Sequence, residues 1–166
     1  MRHIIGILLQ NEAGALTRVA GMFSSRGYNI ESLAVAATDD PTVSRLTLVT
    51  SGSEAVIQQI ANQLKKLIDV VSVEDMTGGE HIERELVLIK LRLDSAQRDT
   101  VRGYVVRTGG RVLDPASECF IVELLGSEAE INGFLRTLAT HAELLEVVRS
   151  GALGISRNQR TLRLVD

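Results

Sequence analysis

The chain has 166 residues, which is enough for one domain or two small domains, each with its own hydrophobic core. Its 18 Lys and Arg residues against 21 Asp and Glu residues, together with 3% aromatic residues, argue against a basic or base-stacking surface for nucleic acid. One cysteine excludes an intrachain disulfide, and no apolar run is long enough to span a membrane, so we expect a cytoplasmic protein without membrane contact.

The first part of the sequence predicts a strand, a helix and a hairpin, in that order. Residues 3–9 form an apolar run that is typical of a strand buried on both faces. Apolar residues at helical spacing follow from Leu16 to Phe23, and Gly27 can adopt the left-handed conformation that ends a helix. Residues 28–38 and 43–50 then predict two strands joined by a turn.

A second helix and a closing strand complete the order βαββαβ. Apolar residues from Val56 to Leu67 form one helical face, and residues 70–73 predict a short strand. Ser51 lies three residues before Glu54, which is the spacing of a capping box. We therefore expect Ser51 to cap the second helix.

The same order of elements starts again after a linker at residues 76–80, which contains two glycines. The segment "GSEAVI" at 52–57 has a counterpart in "GSEAEI" at 126–131, at the start of the second helix of each half, so we interpret the halves as structural repeats. The other elements predicted in the second half are a strand at 85–93, a helix near Ser95, strands at 109–113 and 119–126, and a last strand at 144–148.

These patterns predict an α+β fold of two ferredoxin-like βαββαβ domains, at residues 1–77 and 78–166. The second domain would end in a tail from Gly151 to Asp166. Right-handed crossovers place both helices of such a domain on one face of a four-stranded antiparallel sheet. Because several strands are apolar on both sides, we expect the other face to be covered by another sheet, a second copy or a partner.

The cysteine and histidine residues do not have the spacing or surroundings of a catalytic site or a metal site. Cys119 lies within an apolar strand, where a lone cysteine is usually a small core residue. His3, His81 and His141 are scattered, and no two of them have the helical spacing of a metal site. The sequence therefore predicts neither an enzyme nor a metal-binding protein.

The turn between the first strand and the first helix has two interpretations. Gly14 can simply let the strand turn into the helix. Alternatively, the N–H groups of Gly14, Ala15 and Leu16 bind a carboxylate at the positive end of the helix dipole. The side-chain amides of Asn11 and Asn29 would then contact the rest of a free amino acid.

The corresponding turn of the second half differs in composition. It has the sequence Asp94-Ser95-Ala96, which lacks a glycine and adds a negative charge. We therefore do not expect it to bind the same ligand.

The segment from Asn11 to Leu33, "NEAGALTRVAGMFSSRGYNIESL", resembles the N-terminal ACT domain of the small, regulatory subunit of acetohydroxyacid synthase, also called acetolactate synthase. The resemblance continues through "SRLTLVTSG", "KKLIDVVSVEDMT" and "RELVLIKL", so that it covers nearly the whole chain. Its most specific motif is "GYNIESL".

The resemblance implies a protein without chemistry of its own, in the biosynthesis of branched-chain amino acids. Such subunits bind the large catalytic subunit, which holds thiamine diphosphate, Mg²⁺ and FAD, raise its activity and confer feedback inhibition by valine. Valine would bind between two ACT domains of a homodimer. The resemblance assigns to one chain the residues Asn11, Gly14, Ala15 and Leu16, and to the other Asn29 and Ile30.

Two other functions remain open at this point. RNA-binding domains can share the order βαββαβ, but "RLTLVTSG" lacks the aromatic residues that stack on bases. Another amino-acid-sensing ACT protein, such as part of an enzyme or a transcription factor, would need a catalytic set or a recognition helix in the second half. The second half shows neither.

Overall fold

The computed structural model describes residues 1–114, 119–159 and 161–164. The strands are β1 (Arg2–Gln10), β2 (Ser32–Ala37), β3 (Val43–Ser51), β4 (Val70–Asp75), β5 (His81–Arg92), β6 (Arg111–Asp114), β7 (Cys119–Gly126), β8 (Glu143–Arg149) and β9 (Leu153–Ser156). The helices are α1 (Ala15–Ser25), α2 (Glu54–Leu64), α3 (Arg98–Arg107) and α4 (Glu128–Leu138), with a 3₁₀ turn at Ser95–Gln97. The predicted α+β fold with two βαββαβ repeats is confirmed.

The chain forms two compact units, of which the first is discontinuous. It comprises Met1–Ile82 together with Ala152–Asp166, and the second comprises Glu83–Gly151. The structure thus groups the C-terminal segment with the first half, whereas the sequence-based boundaries assigned it to the second. The repeat pattern could not place this segment, because it has no counterpart after β4.

The first unit packs α1 and α2 against one face of an antiparallel sheet with the strand order β2-β3-β1-β4. Alternate residues of the two central strands enter this core because side chains alternate between the faces of a strand. Burial of each large aliphatic side chain contributes about 1.5–3 kcal/mol. The buried core residues of β1, β3, α1 and α2 include Ile5, Ile7, Leu9, Leu46, Leu48, Val19, Phe23, Ile57, Ile60 and Leu64.

The second unit repeats this arrangement, with the strand order β6-β7-β5-β8 and α3 and α4. Its core contains Val87, Ile89 and Leu91 of β5, together with Phe134 of α4. On the opposite face, Leu125 is 62% exposed and Val148 is 51% exposed. The expected uncovered apolar face is therefore present in the second unit.

In the first unit, part of the face that we expected another sheet, a second copy or a partner to cover is covered by the segment that we expected to be a tail. The chain returns after β8, and β9 lies in the segment that we expected to be a tail. Ala152 is 3% exposed and packs with Ile4, Val49 and Met76 on the side of the sheet away from the helices. Apolar residues on both faces of β1 require cover on both sides, and this segment supplies part of it.

The repeated "GSEA" segments both begin helices, but the capping residue differs from the prediction. Ser53, and not Ser51, is the N-cap of α2, and its hydroxyl accepts the Val56 amide at 3.4 Å. Ser127 caps α4 in a full capping box, because the Glu130 carboxylate accepts the Ser127 amide in return, at 2.6 Å. The hydrogen bonds from the backbone and side chain of Ser127 lower the pKa of Glu130.

These caps predict different effects for two neighbouring serines. Ser53→Ala should lower the free energy of unfolding by about 1 kcal/mol, because an amide of the first turn of α2 loses its acceptor. Ser51→Ala is the matched control and should change it by less than about 0.5 kcal/mol. Urea titration of both full-length variants measures the difference. Equal losses, or a larger loss for Ser51→Ala, would contradict the assignment of the cap.

Candidate functional site

The turn from β1 to α1 is built around the backbone conformation of Gly14. This residue is the N-cap of α1 and has φ +87°, in the left-handed region that favours glycine. Its carbonyl accepts the Arg18 amide at 2.9 Å, and the Ala15 amide donates to the Glu12 carbonyl at 3.2 Å. The glycine thus joins a tight turn directly to the first turn of the helix.

The first turn of α1 has no side chain that caps it. The N–H groups of the first helical turn have no partner within a helix, and the positive end of the helix dipole lies there. Leu16 is 37% exposed, so this end of the helix is open to a ligand, whereas the Ala15 side chain is buried. The arrangement suits an anion such as a carboxylate.

An arginine that the sequence analysis missed lies directly over this turn. Arg18 follows Gly14 by four residues, a spacing that puts both on one helix face and could have revealed the contact. A Cβ atom built on Gly14 would lie 3.0 Å from Nη1 of Arg18. The guanidinium group therefore lies directly beside the space that the missing side chain leaves.

Asp69 holds Arg18 in this position through two contacts. Nη2 of Arg18 donates to Oδ1 of Asp69 at 2.7 Å, and Nε donates to Oδ2. Asp69 is 3% exposed, and its backbone carbonyl accepts the Gln10 amide at the end of β1. The hydrogen bonds from Arg18 lower the pKa of Asp69, and the same pairing raises the pKa of Arg18. Both contacts with Asp69 leave Nη1 of Arg18 to face the turn.

Asn11 supports the turn and retains some hydrogen-bonding capacity. Its Nδ2 atom donates to the Pro41 carbonyl at 3.0 Å, and its Oδ1 atom accepts the Ser44 hydroxyl at 3.2 Å. The amide therefore fixes the end of β1 against the β2–β3 turn. A side-chain amide offers two N–H donors and two acceptor positions, so each atom can still make one further hydrogen bond.

Within one chain, the structure does not bring the remaining two predicted site residues to this turn. Asn29 and Ile30 follow the other end of α1, whose 11 residues span about 16 Å. The Thr50 hydroxyl donates to the Asn29 backbone carbonyl at 2.6 Å, and Asn29 is exposed. Asn11, Gly14, Ala15 and Leu16 thus form one group, and Asn29 and Ile30 form another.

The candidate catalytic and metal-binding residues remain apart. His3 is buried, with Nε2 at 3.2 Å from the Gly52 carbonyl oxygen, and Cys119 is half-buried at the start of β7. Among the residues with described positions, no group of three His, Cys, Asp or Glu side chains could hold a metal ion. None of the helices in the same part of the chain is long and apolar enough to cross a membrane.

The central strands give no support to the RNA-binding alternative. β1, β3 and β5 contain no aromatic residue, and Phe120 of β7 is 1% exposed in the core. Stacking on bases requires exposed aromatic side chains on the sheet. These strands offer none.

The βαββαβ sheet of the first unit and the glycine turn that leads into α1 define an ACT domain, and the family model described as an AHAS small subunit-like ACT domain matches residues 5–72. A second model, described as the small subunit of acetolactate synthase, matches residues 84–158. The chain belongs to the family of acetolactate synthase small subunits.

Relatives in other organisms extend over the whole chain. The acetolactate synthase isozyme 3 small subunit of Escherichia coli K12 is 45% identical over 163 residues, covering 98% of this chain and 100% of the relative. The acetolactate synthase small subunit of Haemophilus influenzae is 42% identical over 162 residues, covering 98% and 99%. The crystal structure of the small subunit from Thermotoga maritima matches with a TM-score of 0.81 at 29% identity, covering 96% of this chain and 99% of that one.

The Arg18–Asp69 pair predicts a pH-dependent contribution to stability. The pKa of Asp69 in the folded protein lies below its ordinary value of 3.8, so the pair stabilises the fold above that value. The stabilisation is lost as the pH falls through the lowered pKa. Wild type should therefore be more stable than Asp69→Asn at pH 7, and the difference should shrink in strong acid.

Urea unfolding of both proteins across this pH range measures the effect, and an Arg18→Ala background provides the control. Without the guanidinium group, Asp69→Asn should show a smaller dependence on pH. A difference between wild type and Asp69→Asn that stays constant down to strong acid would contradict the assignment.

Proposed function

We propose that this chain is the non-catalytic regulatory subunit of an acetolactate synthase in branched-chain amino-acid biosynthesis. It binds the large catalytic subunit, raises its activity and makes it sensitive to feedback inhibition by valine. Membership of the small-subunit family supports this role. Thiamine diphosphate, Mg²⁺ and FAD would be held by the large subunit, and this chain would hold no cofactor.

The observation that carries the valine site is the uncapped turn at Gly14. A free amino acid presents a carboxylate, and the first-turn amides of α1 lie at the positive end of the helix dipole. Nη1 of Arg18 adds a fixed cation beside these amides, because Asp69 holds the other side of the guanidinium group. Charge-assisted hydrogen bonds to a carboxylate are stronger than neutral ones, so this turn favours an α-carboxylate over a neutral ligand.

The second group of residues would complete the site from another chain. Ile30 packs against the core of the first unit and offers an apolar surface for the isopropyl group of valine. The Oδ1 atom of Asn29 would accept a hydrogen bond from the ligand's ammonium group. Because α1 separates these residues from Gly14 in one chain, a pocket that uses both requires a homodimer with two equivalent shared sites.

The exposed edge of the first sheet is suited to this dimer. β2 is an edge strand that begins just after Ile30, and its residues are half-buried or exposed. An edge strand has unpaired backbone groups that a second copy can satisfy. Pairing of this edge about a two-fold axis would carry Asn29 and Ile30 of each chain towards its neighbour.

Gly14→Asp should abolish valine inhibition while the catalytic subunit is still activated. The new carboxylate would bind the helix amides and Arg18 in place of the ligand's carboxylate. A non-glycine residue in the left-handed region costs about 1–2 kcal/mol, and the N-capping carboxylate offsets part of it, so the chain should still fold.

Gly109→Asp is the matched control, because Gly109 has φ +82° and open space around its Cβ position in the second unit. This variant carries the same backbone strain and charge without touching the turn. Valine titration of both reconstituted enzymes measures the response. Normal inhibition of the Gly14→Asp enzyme, or equal loss in both variants, would overturn the site.

A mixing experiment tests whether the site is shared between chains. Gly14→Asp and Asn29→His homodimers should each bind valine poorly. A mixed dimer has one site with both changes and one intact site, so random 1:1 mixing should restore roughly a quarter of wild-type binding capacity. Calorimetry before and after subunit exchange measures the recovery, and light scattering checks that the dimer is present. No recovery from exchanged dimers, or a monomer with and without valine, would contradict the shared site.

A further inference from the structure

The segment Ala152–Ser156, called the strap below, crosses the helix-free side of the first sheet. The Ala152 amide donates to Oγ of Ser32 at 3.0 Å, and the Gly154 amide donates to Oγ1 of Thr47 at 3.3 Å. In return, Nη2 of Arg45 donates to the Gly154 carbonyl at 3.3 Å. Three side chains of the sheet thus recognise the backbone of the strap.

Glycine at the centre of the strap lets its backbone lie close to this surface. A Cβ atom built on Gly154 would lie 2.7 Å from Cε of Met76 and 2.9 Å from Cδ1 of Ile4. The larger strap residues face outwards, with Leu153 57% exposed and Ile155 64% exposed. A β-branched side chain at position 154 would therefore press against Met76 and Ile4, whereas the Ile155 side chain faces away from the sheet.

The docked strap lies against Arg45, whose buried charge is not fully balanced by hydrogen bonds or a close carboxylate. Burial lowers the pKa of Arg45, although the charge of Glu74 opposes the effect. Nη1 of Arg45 is buried and has no hydrogen-bond partner among the described residues. Enclosing a guanidinium group without a close carboxylate is unfavourable, so the buried apolar surface and hydrogen bonds of the strap are partly offset.

The strap also contacts residues next to Asn29 and Ile30, which together are called the valine wall below because they would form one side of the proposed valine site. Ser32, which binds the Ala152 amide, lies two residues after Ile30. The Glu31 amide between them donates to the Val49 carbonyl at 2.8 Å, and the Val49 side chain packs with Ala152. A movement of Asn29 and Ile30 would therefore be transmitted to the strap through Ser32, two residues further along the chain.

We propose that the strap couples the valine wall to the second unit: valine binding favours the docked strap, and the docked strap favours valine binding. The chain leaves the second unit at Gly151 and enters the strap at Ala152. Docking of the strap therefore fixes the position of the residue that follows the C-terminal end of the second unit. By linkage, the two equilibria must affect each other by the same factor, typically about 5- to 150-fold. This inference rests on the proposed function.

The first test follows the strap amides in the full-length chain assembled with the catalytic subunit. Hydrogen exchange at Ala152 and Gly154 should slow when valine is added, because their amides bond to the sheet only in the docked state. Exchange that is the same with and without valine would overturn the coupling.

The second test uses substitutions within the strap. Gly154→Val should displace the strap and raise the valine concentration for half inhibition by about 5-fold or more. Ile155→Val is the matched control on the outward side and should respond like wild type. Ser32→Ala removes only the acceptor of Ala152, so it provides a milder variant if Gly154→Val does not fold, and it should shift the response in the same direction.

The outcomes separate the two proposals. If wild type responds to valine and both Gly154→Val and Ser32→Ala respond equally well, the strap inference is overturned and the proposed function stands. If wild type neither binds valine nor is inhibited by it, both are overturned. Weaker valine binding by both variants, with a normal Ile155→Val control, supports the coupling.

Discussion

The constraint on which the first unit depends is that strand β1 is apolar on both faces. Residues 4–9 are all buried, including Gly6, which has no side chain. The helices cover one face, which is the usual arrangement of a βαββαβ unit. The other face holds Ile4, Val49 and Met76, and the chain covers these with Ala152 from far along the sequence. This requirement explains why the first unit is discontinuous and why a short glycine-containing strand packs against the first sheet, although the strand before it, β8, belongs to the second unit.

The sequence was sufficient for those parts of the fold that have a periodic signal. Helices and strands follow from apolar spacing, and the shared "GSEA" segments identify both the repeat and the start of its second helix, although the cap is Ser53 rather than Ser51. The strap carries no such signal. Its large residues Leu153 and Ile155 face outwards and its small ones inwards, which reverses the usual pattern; a Cβ atom on Gly154 would lie 2.7 Å from Cε of Met76.

Part of the candidate site could be predicted from local sequence, and part depends on residues far apart in the chain. Gly14 could be found from the sequence, because a glycine between a strand and a helix indicates a special backbone conformation, and the structure gives it φ +87°. The pairing of Arg18 with Asp69 could not, because it joins residues 51 positions apart that become neighbours only when the sheet forms. The pair matters physically because a bare helix end holds an anion weakly in water, whereas a guanidinium group held by a buried carboxylate adds a directed charge.

The two repeats retain the same fold but differ at the turn where a ligand would bind. In the second unit, Asp94 takes the place of the glycine turn with an extended backbone, and the Gln97 amide closes a 3₁₀ turn on its carbonyl at 3.0 Å. The N-cap residue of this turn is therefore a carboxylate, which repels an anion, whereas the N-cap of α1 is the uncharged Gly14. An effector with a carboxylate would therefore distinguish the two units even though their sheets and helices match. Under the proposed function, the first unit would bind the effector, and the second unit would be available for a different contact in the assembled enzyme.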